Sequence, residues 1–221
     1  VALKHLGEIQ LGKMLQPMPA NESDIAVPYM NSGLLAAVNS ELMKTMYAAP
    51  NDLKIYEVVE GDLLVVEGGD AGNTVFAPWV PETTILQNSL HRIRSSKADL
   101  RFLKYSLDAI YASGWLDVLC NKATFAHLTH EKLSSLPIPL WPLDEQRAIA
   151  DYLDTETDRI DQLINKKSRM IQLIGDRYRQ ATVEALLPCD SQDKLLWKEP
   201  VRPQSVLSYQ MRALPKTWSV V

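Results

Sequence analysis

Residues 144–187 contain no proline and a single glycine, Gly175, directly after Leu136-Pro137-Ile138-Pro139-Leu140-Trp141-Pro142, which has three prolines in seven residues. This junction constrains the fold more than any other feature of the chain. Proline fixes φ, lacks an amide donor and turns the residue before it away from helix, so 136–142 reads as an extended connector. Beyond it, Leu153, Thr157, Ile160, Ile164, Lys167, Ile171, Ile174, Tyr178, Ala181 and Ala185 recur at alternating four- and three-residue steps. That is a heptad seam, widened by Ile149, Leu163 and Met170. A helix of about 44 residues rises about 66 Å. Such a rod is expected to outrun a compact domain and to need a partner for its apolar stripe. Leu153, Ile160, Ile164, Ile171, Ile174 and Tyr178 are the expected packing residues, and Lys167 on the seam would cost stability while fixing register.

Charge along this segment is segregated. Asp144 to Asp161 holds seven acids against Arg147 and Arg159, whereas Gln162 to Leu187 holds Lys166, Lys167, Arg169, Arg177 and Arg179 against Asp176 and Glu184. The helix dipole favours this order but fades beyond the terminal turns. A like helix packed antiparallel sets each acidic half beside a basic one. The expected partner is therefore an antiparallel coiled-coil helix, from the same chain or a second copy.

The first 140 residues show short β-branched runs punctuated by turns. Lys54–Val59, Glu60-Gly61-Asp62 and Leu63–Val66 read as strand, turn, strand; Gly68–Asn73 as a glycine-rich turn; Thr74–Ala77 and Thr83–Arg94 as further strands; Leu100–Leu119 as one helix or two. The expected fold class is mixed α/β (α+β) over 1–140 with a curved sheet, followed by the long coiled-coil-forming helix over 141–187. Pro188 ends the helix, and 188–221 reads as a polar linker leading into the start of something new.

A formal charge of −4 excludes a generally adhesive nucleic-acid coat but leaves room for a local basic surface. Two cysteines, Cys120 and Cys189, suggest a reducing compartment, though one disulfide stays possible. No apolar run reaches the roughly 20 residues of a membrane span, and the start has no signal-peptide pattern, so the cytoplasm is the expected location. Catalysis finds no support: there is no methyltransferase Asn/Asp-Pro-Pro-aromatic motif, no Gly-x-Gly cofactor loop, no Walker lysine and no nuclease carboxylate cluster. Asp151/Asp154 and Asp158/Asp161 sit on helix faces, where solvated acids are ordinary. No cofactor is implied. His127 and His130 lie three apart with no further ligand to complete a zinc set, which favours surface or capping histidines over a metal site.

The order of several short motifs carries a resemblance. Leu136–Asp154, with Glu145-Gln146 after the prolines, runs into Ile160-Asp161-Gln162-Leu163-Ile164 and resembles the end of a target recognition domain in type I restriction-modification specificity subunits. Glu60–Val65, Gln87–Leu90, Thr124–Leu128 and Leu133–Leu136 are similar to that family's internal motifs; the family's opening Pro-x-x-Trp is missing before Val1, but Leu3–Ile9 resembles what should follow it. The tail Leu214-Pro215-Lys216-Thr217-Trp218 is similar to the start of a second recognition domain. The resemblance implies a DNA-reading unit at 1–140, a spacer helix at 141–187 and the beginning of another unit in 188–221, about half of a two-unit subunit or a self-associating half. It further implies reading of one part of a bipartite double-stranded DNA site, docking of methyltransferase subunits and, through them, a restriction subunit, without catalysis by this chain. Two alternatives remain: a recognition segment of a fused restriction-methylation enzyme, and a coiled-coil assembly module whose α/β domain binds protein.

Candidate DNA contacts follow from charge and loop chemistry. Between His91 and Lys104, Arg92, Arg94, Lys97, Arg101 and Lys104 face only Asp99, and such cations neutralise phosphates. An ordinary solvated face is the competing reading. Asn73 ends a glycine-rich loop able to approach DNA closely, or a plain hairpin turn. Lys122 and Thr124 join the candidates because the resemblance implies a DNA-facing segment there.

Overall fold

The computed structural model describes residues 1–34, 43–119 and 127–186 and divides into two compact units, Val1–Thr155 and the chain from Glu156 onward. The first unit is built on an antiparallel sheet in the order β1-β7-β4-β5, comprising β1 (Glu8–Leu11), β7 (Leu90–Arg94), β4 (Leu63–Val66) and β5 (Thr74–Phe76). A second sheet, β3-β2-β6, pairs β2 (Ile25–Met30) antiparallel with β3 (Thr45–Ala48) and parallel with β6 (Ile85–Leu86).

The apolar run Leu63-Leu64-Val65-Val66 is buried at every position because both faces of its sheet are covered. Leu63, Val65 and Ile93 point into a core with Phe102, Leu103, Leu128, Leu133 and Leu136. Leu64, Val66 and Leu90 point the other way, onto Met30, Val58 and Leu86. Helices α2 (Leu100–Ala112) and α3 (Trp115–Leu119) match the expected pair. Asp99 caps α2 by accepting from the Arg101 and Phe102 amides. A short α4 (His130–Ser134) precedes the proline-rich connector.

Two expectations for local structure need correction. Lys54–Val59 is not a strand: α1 spans Pro50–Tyr56, with Pro50 in its first turn and the Ala49 amide donating to Asp52 Oδ2 at 3.3 Å. Leu53 and Tyr56, three apart, pack together against Val27, Met46 and Ile85, which only helical spacing permits. Thr83–Arg94 is not one strand but two, β6 and β7, in different sheets. Gln87-Asn88-Ser89 breaks the run, with Gln87 Oε1 accepting from the Ser89 amide at 3.1 Å.

Helix α5 spans Leu143–Leu186, 44 residues, beginning just after Pro142. Its first turns are part of the first unit. Ala150 is fully buried and Gln146 is 2% exposed, with Gln146 Oε1 accepting the Asp99 amide at 3.0 Å and Nε2 donating to the Trp141 carbonyl at 2.8 Å. The Glu145-Gln146 motif thus closes α2 onto the start of α5.

Candidate nucleic-acid interface

The basic run 91–104 is dispersed by the sheet. Strand parity puts Arg92 on the same face as Leu64 and Leu90, so it is 4% exposed; its guanidinium donates to the Glu57 carbonyl, with Glu8 at 3.8 Å. A side chain so enclosed is committed to the sheet, which corrects its expected place on a phosphate-facing surface. Arg94 forms a two-point pair with Asp62, at 2.5 and 2.7 Å, with Glu57 at 3.6 Å. That pairing holds its charge even more firmly than usual. Arg101 bridges Asp151 and Asp154 at 2.7 and 2.6 Å, where Tyr105 also donates to Asp154 and pulls that carboxyl below its ordinary range. Lys104 pairs with Asp108 at 2.6 Å. Lys97 differs: it is exposed, and among the described residues its ammonium reaches only the His5 carbonyl, at 3.4 Å.

Antiparallel pairing sorts the loops to two ends of the central sheet. At one end lie the exit of β1, the Gln87–Ser89 turn and the Glu67–Asn73 loop, against which His127 is bridged through Gly68. Asn73 is exposed there, its amide held by Asp70 at 2.7 Å. The glycines of this loop serve packing as well: a Cβ on Gly72, at φ +96°, would lie 2.2 Å from Leu116 Cδ1. At the other end lie Gly7, Gly61-Asp62 and Ser95–Lys97. Asn73 and Lys97 are therefore at opposite ends and form no single cluster. Lys122 and Thr124 lie outside the described residues.

Sequence reasoning missed Lys4, which lines one cleft with Lys97, because 93 positions separate them. The histidines are structural in their contacts. His91 is fully buried with Nε2 donating to the Leu128 carbonyl at 2.8 Å, which leaves Nδ1 as a bare lone pair without a partner among the described residues. Burial lowers its pKa, opposed by the Leu128 bond and Glu67 and aided by neighbouring His130. No group of acids, histidines and cysteines able to hold a metal occurs among the described residues. No described helix is long and apolar enough to cross a membrane.

In the second unit, the remainder of α5 presents its apolar positions to solvent. Ile160, Ile164, Ile171, Ile174 and Tyr178 are all more than half exposed, Tyr178 reaching 73%. Leu153, in the first unit, is half-buried.

Comparison with known proteins agrees with this architecture. Residues 1–173 match the family described as the type I restriction modification DNA specificity domain. Over 134 residues, 59% of this chain, the sequence is 31% identical to the type I restriction enzyme EcoBI specificity subunit of Escherichia coli, of which it covers 27%. The HsdS subunit from Thermoanaerobacter tengcongensis superposes with a TM-score of 0.50 at 21% identity, over 74% of this chain and 38% of that one. A structure described for complex assembly and conformational transition of the type I restriction-modification system gives 0.55 at 20% identity, over 83% and 44%. The chain thus spans less than half the length of these relatives.

Proposed function

This chain belongs to the type I restriction-modification DNA specificity family, and from that membership we propose that it reads one half of a bipartite double-stranded DNA site for a methyltransferase complex. The family match over 1–173 carries the reading, since it spans the sheets, the connector and much of α5. In this reading residues 1–140 form the recognition domain, 141–187 the spacer and 188–221 the approach to a second recognition unit. The chain supplies specificity and no catalytic group.

Base reading requires amide or guanidinium groups that can reach groove edges. Asn73 and the Gln87-Asn88 turn supply amides at one end of the sheet, and we assign base contacts to that end; Lys122 and Thr124 stay candidates on the resemblance alone. Lys97 is assigned to phosphate. Arg92 and Arg94 act by holding β7 and the Glu57–Asp62 segment in place. The apolar stripe from Leu153 to Tyr178 is assigned to an antiparallel helix of a second recognition unit, in the same chain or a second copy. Methyltransferase subunits, and through them the restriction subunit, are the remaining partners.

Methylome sequencing of a host carrying the system tests the function directly. A methylated bipartite motif that disappears when this chain is deleted is the expected result. Methylation unchanged at every motif after deletion would overturn the reading.

A further inference from the structure

We propose that Lys4 and Lys97, flanking the Ser95-Ser96 turn, form an anchor for the phosphodiester backbone of duplex DNA, separate from the base-reading end of the sheet. The inference rests on the DNA-recognition reading above. A cleft of about 510 Å³ opens where the 3-10 turn Leu3–His5 meets the end of β7, its lining including Lys4, Glu8, Arg94, Ser95, Ser96 and Lys97. The cations of the sheet and of α2 are paired locally: Lys13 with Asp52, Arg92 with Glu8, Arg94 with Asp62, Arg101 with Asp151 and Asp154, Lys104 with Asp108. Lys4 and Lys97 are exposed, and neither forms an ion pair with a described carboxylate. Glu57 and Asp62 face Arg94, which leaves Glu8, 3.8 Å from Arg92, as the carboxylate among the cleft's lining residues, against the two lysines and Arg94.

The cleft floor is fixed. Ser95 Oγ donates to the Leu6 carbonyl and accepts from the Lys97 and Ala98 amides at 3.0 and 2.8 Å. Lys97 Nζ lies 3.4 Å from the His5 carbonyl, tying β7's exit to the residue beside Lys4. Gly7 lets the two segments approach, since a Cβ there would lie 2.8 Å from the Arg94 carbonyl oxygen. A phosphate oxygen in this cleft meets two ammonium groups and the exposed Ser96. An ammonium is a point charge without bidentate geometry, which suits backbone anchoring rather than base reading. In a chain of net charge −4, such a spot concentrates the attraction that the whole molecule lacks.

The test uses the complex assembled with its methyltransferase subunits and duplexes with and without the methylated motif. Each phosphate neutralised contributes about 0.9 to the slope of log affinity against log salt. The double variant K4A/K97A, which removes the one phosphate contact of this cleft, is expected to reduce that slope by about 0.9, to weaken both duplexes by the same factor and to leave the methylated motif unchanged. K4R/K97R is expected to keep the wild-type slope, and K54A, removing an exposed lysine elsewhere, to keep it also. An unchanged slope in K4A/K97A, or an altered motif, would overturn the anchor while leaving the recognition reading standing. Failure of that reading shows separately, as no motif depending on the wild-type chain.

Discussion

Gln146 is a residue whose importance comes from where its neighbours end. Its side chain spans from the amide that opens α2 to the carbonyl just before α5. Gln146→Ala removes both bonds, one of them to the carbonyl of half-exposed Trp141, and should cost about 1–2 kcal/mol, readable as a lower denaturant midpoint; a shift equivalent to less than about 0.5 kcal/mol would refute the bridging role. Gly72 and Gly69 separate two effects that a glycine combines. Both have positive φ, but only at Gly72 would a Cβ collide, with Leu116. Gly69→Ala should cost about 1 kcal/mol from backbone strain, and Gly72→Ala clearly more, in the same unfolding measurement. His91 carries a pH signature. Its folded pKa lies below the unfolded value of about 6.5, so the folded state binds fewer protons in that window. Its contribution is complete above about pH 6.5 and erodes as pH falls from there to the folded pKa. Thermal melts of the wild type should fall between pH 7.5 and 5.5 more steeply than those of His91→Leu.

At the scale of elements, α5 obeys two environments along one sequence pattern. Ala150 and Gln146 are held by the first unit, whereas Ile160 to Tyr178 meet solvent. Substituting an exposed apolar residue removes little that folding had buried. Ile171→Glu should therefore leave the melting of the first unit within about 0.5 kcal/mol of wild type, yet weaken pairing through the stripe at least about tenfold by light scattering or assembly assay, since a seam position admits charge poorly. Normal assembly of Ile171→Glu would remove the seam from the interface. Helix α5 was legible in advance because its signal, proline exclusion followed by a 3.5-residue repeat, is local and long. Helix α1 was not: Lys54–Val59 is β-branched enough to suit a strand, and what decides otherwise is Pro50 upstream together with the pocket for Leu53 and Tyr56. The break between β6 and β7 was hidden for a similar reason, since Ile85, Leu90 and Ile93 are all buried but in different layers.

For the whole molecule, the compact unit runs to Thr155, fifteen residues past the domain boundary placed at 140 on composition. A chain ending at Thr155 should melt cooperatively near the wild-type midpoint of this unit. One ending at Leu140 loses Gln146, Ile149 and Ala150 from the core cluster and its bridges, and should be markedly less stable or fail to fold. Equal melting of the two fragments would show that the helix start is dispensable. The sequence by itself determined the long helix, the connector before it and the ordered motifs that mark the family, because each is written in neighbouring residues. Tertiary structure decided which cations are free. Arg92 and Lys97 read alike in the chain, but one falls on a strand position facing a second sheet and the other beyond the strand's end, beside Lys4. Burial and pairing of a charge depend on what the opposite layer places against it, and that layer comes from residues tens of positions away.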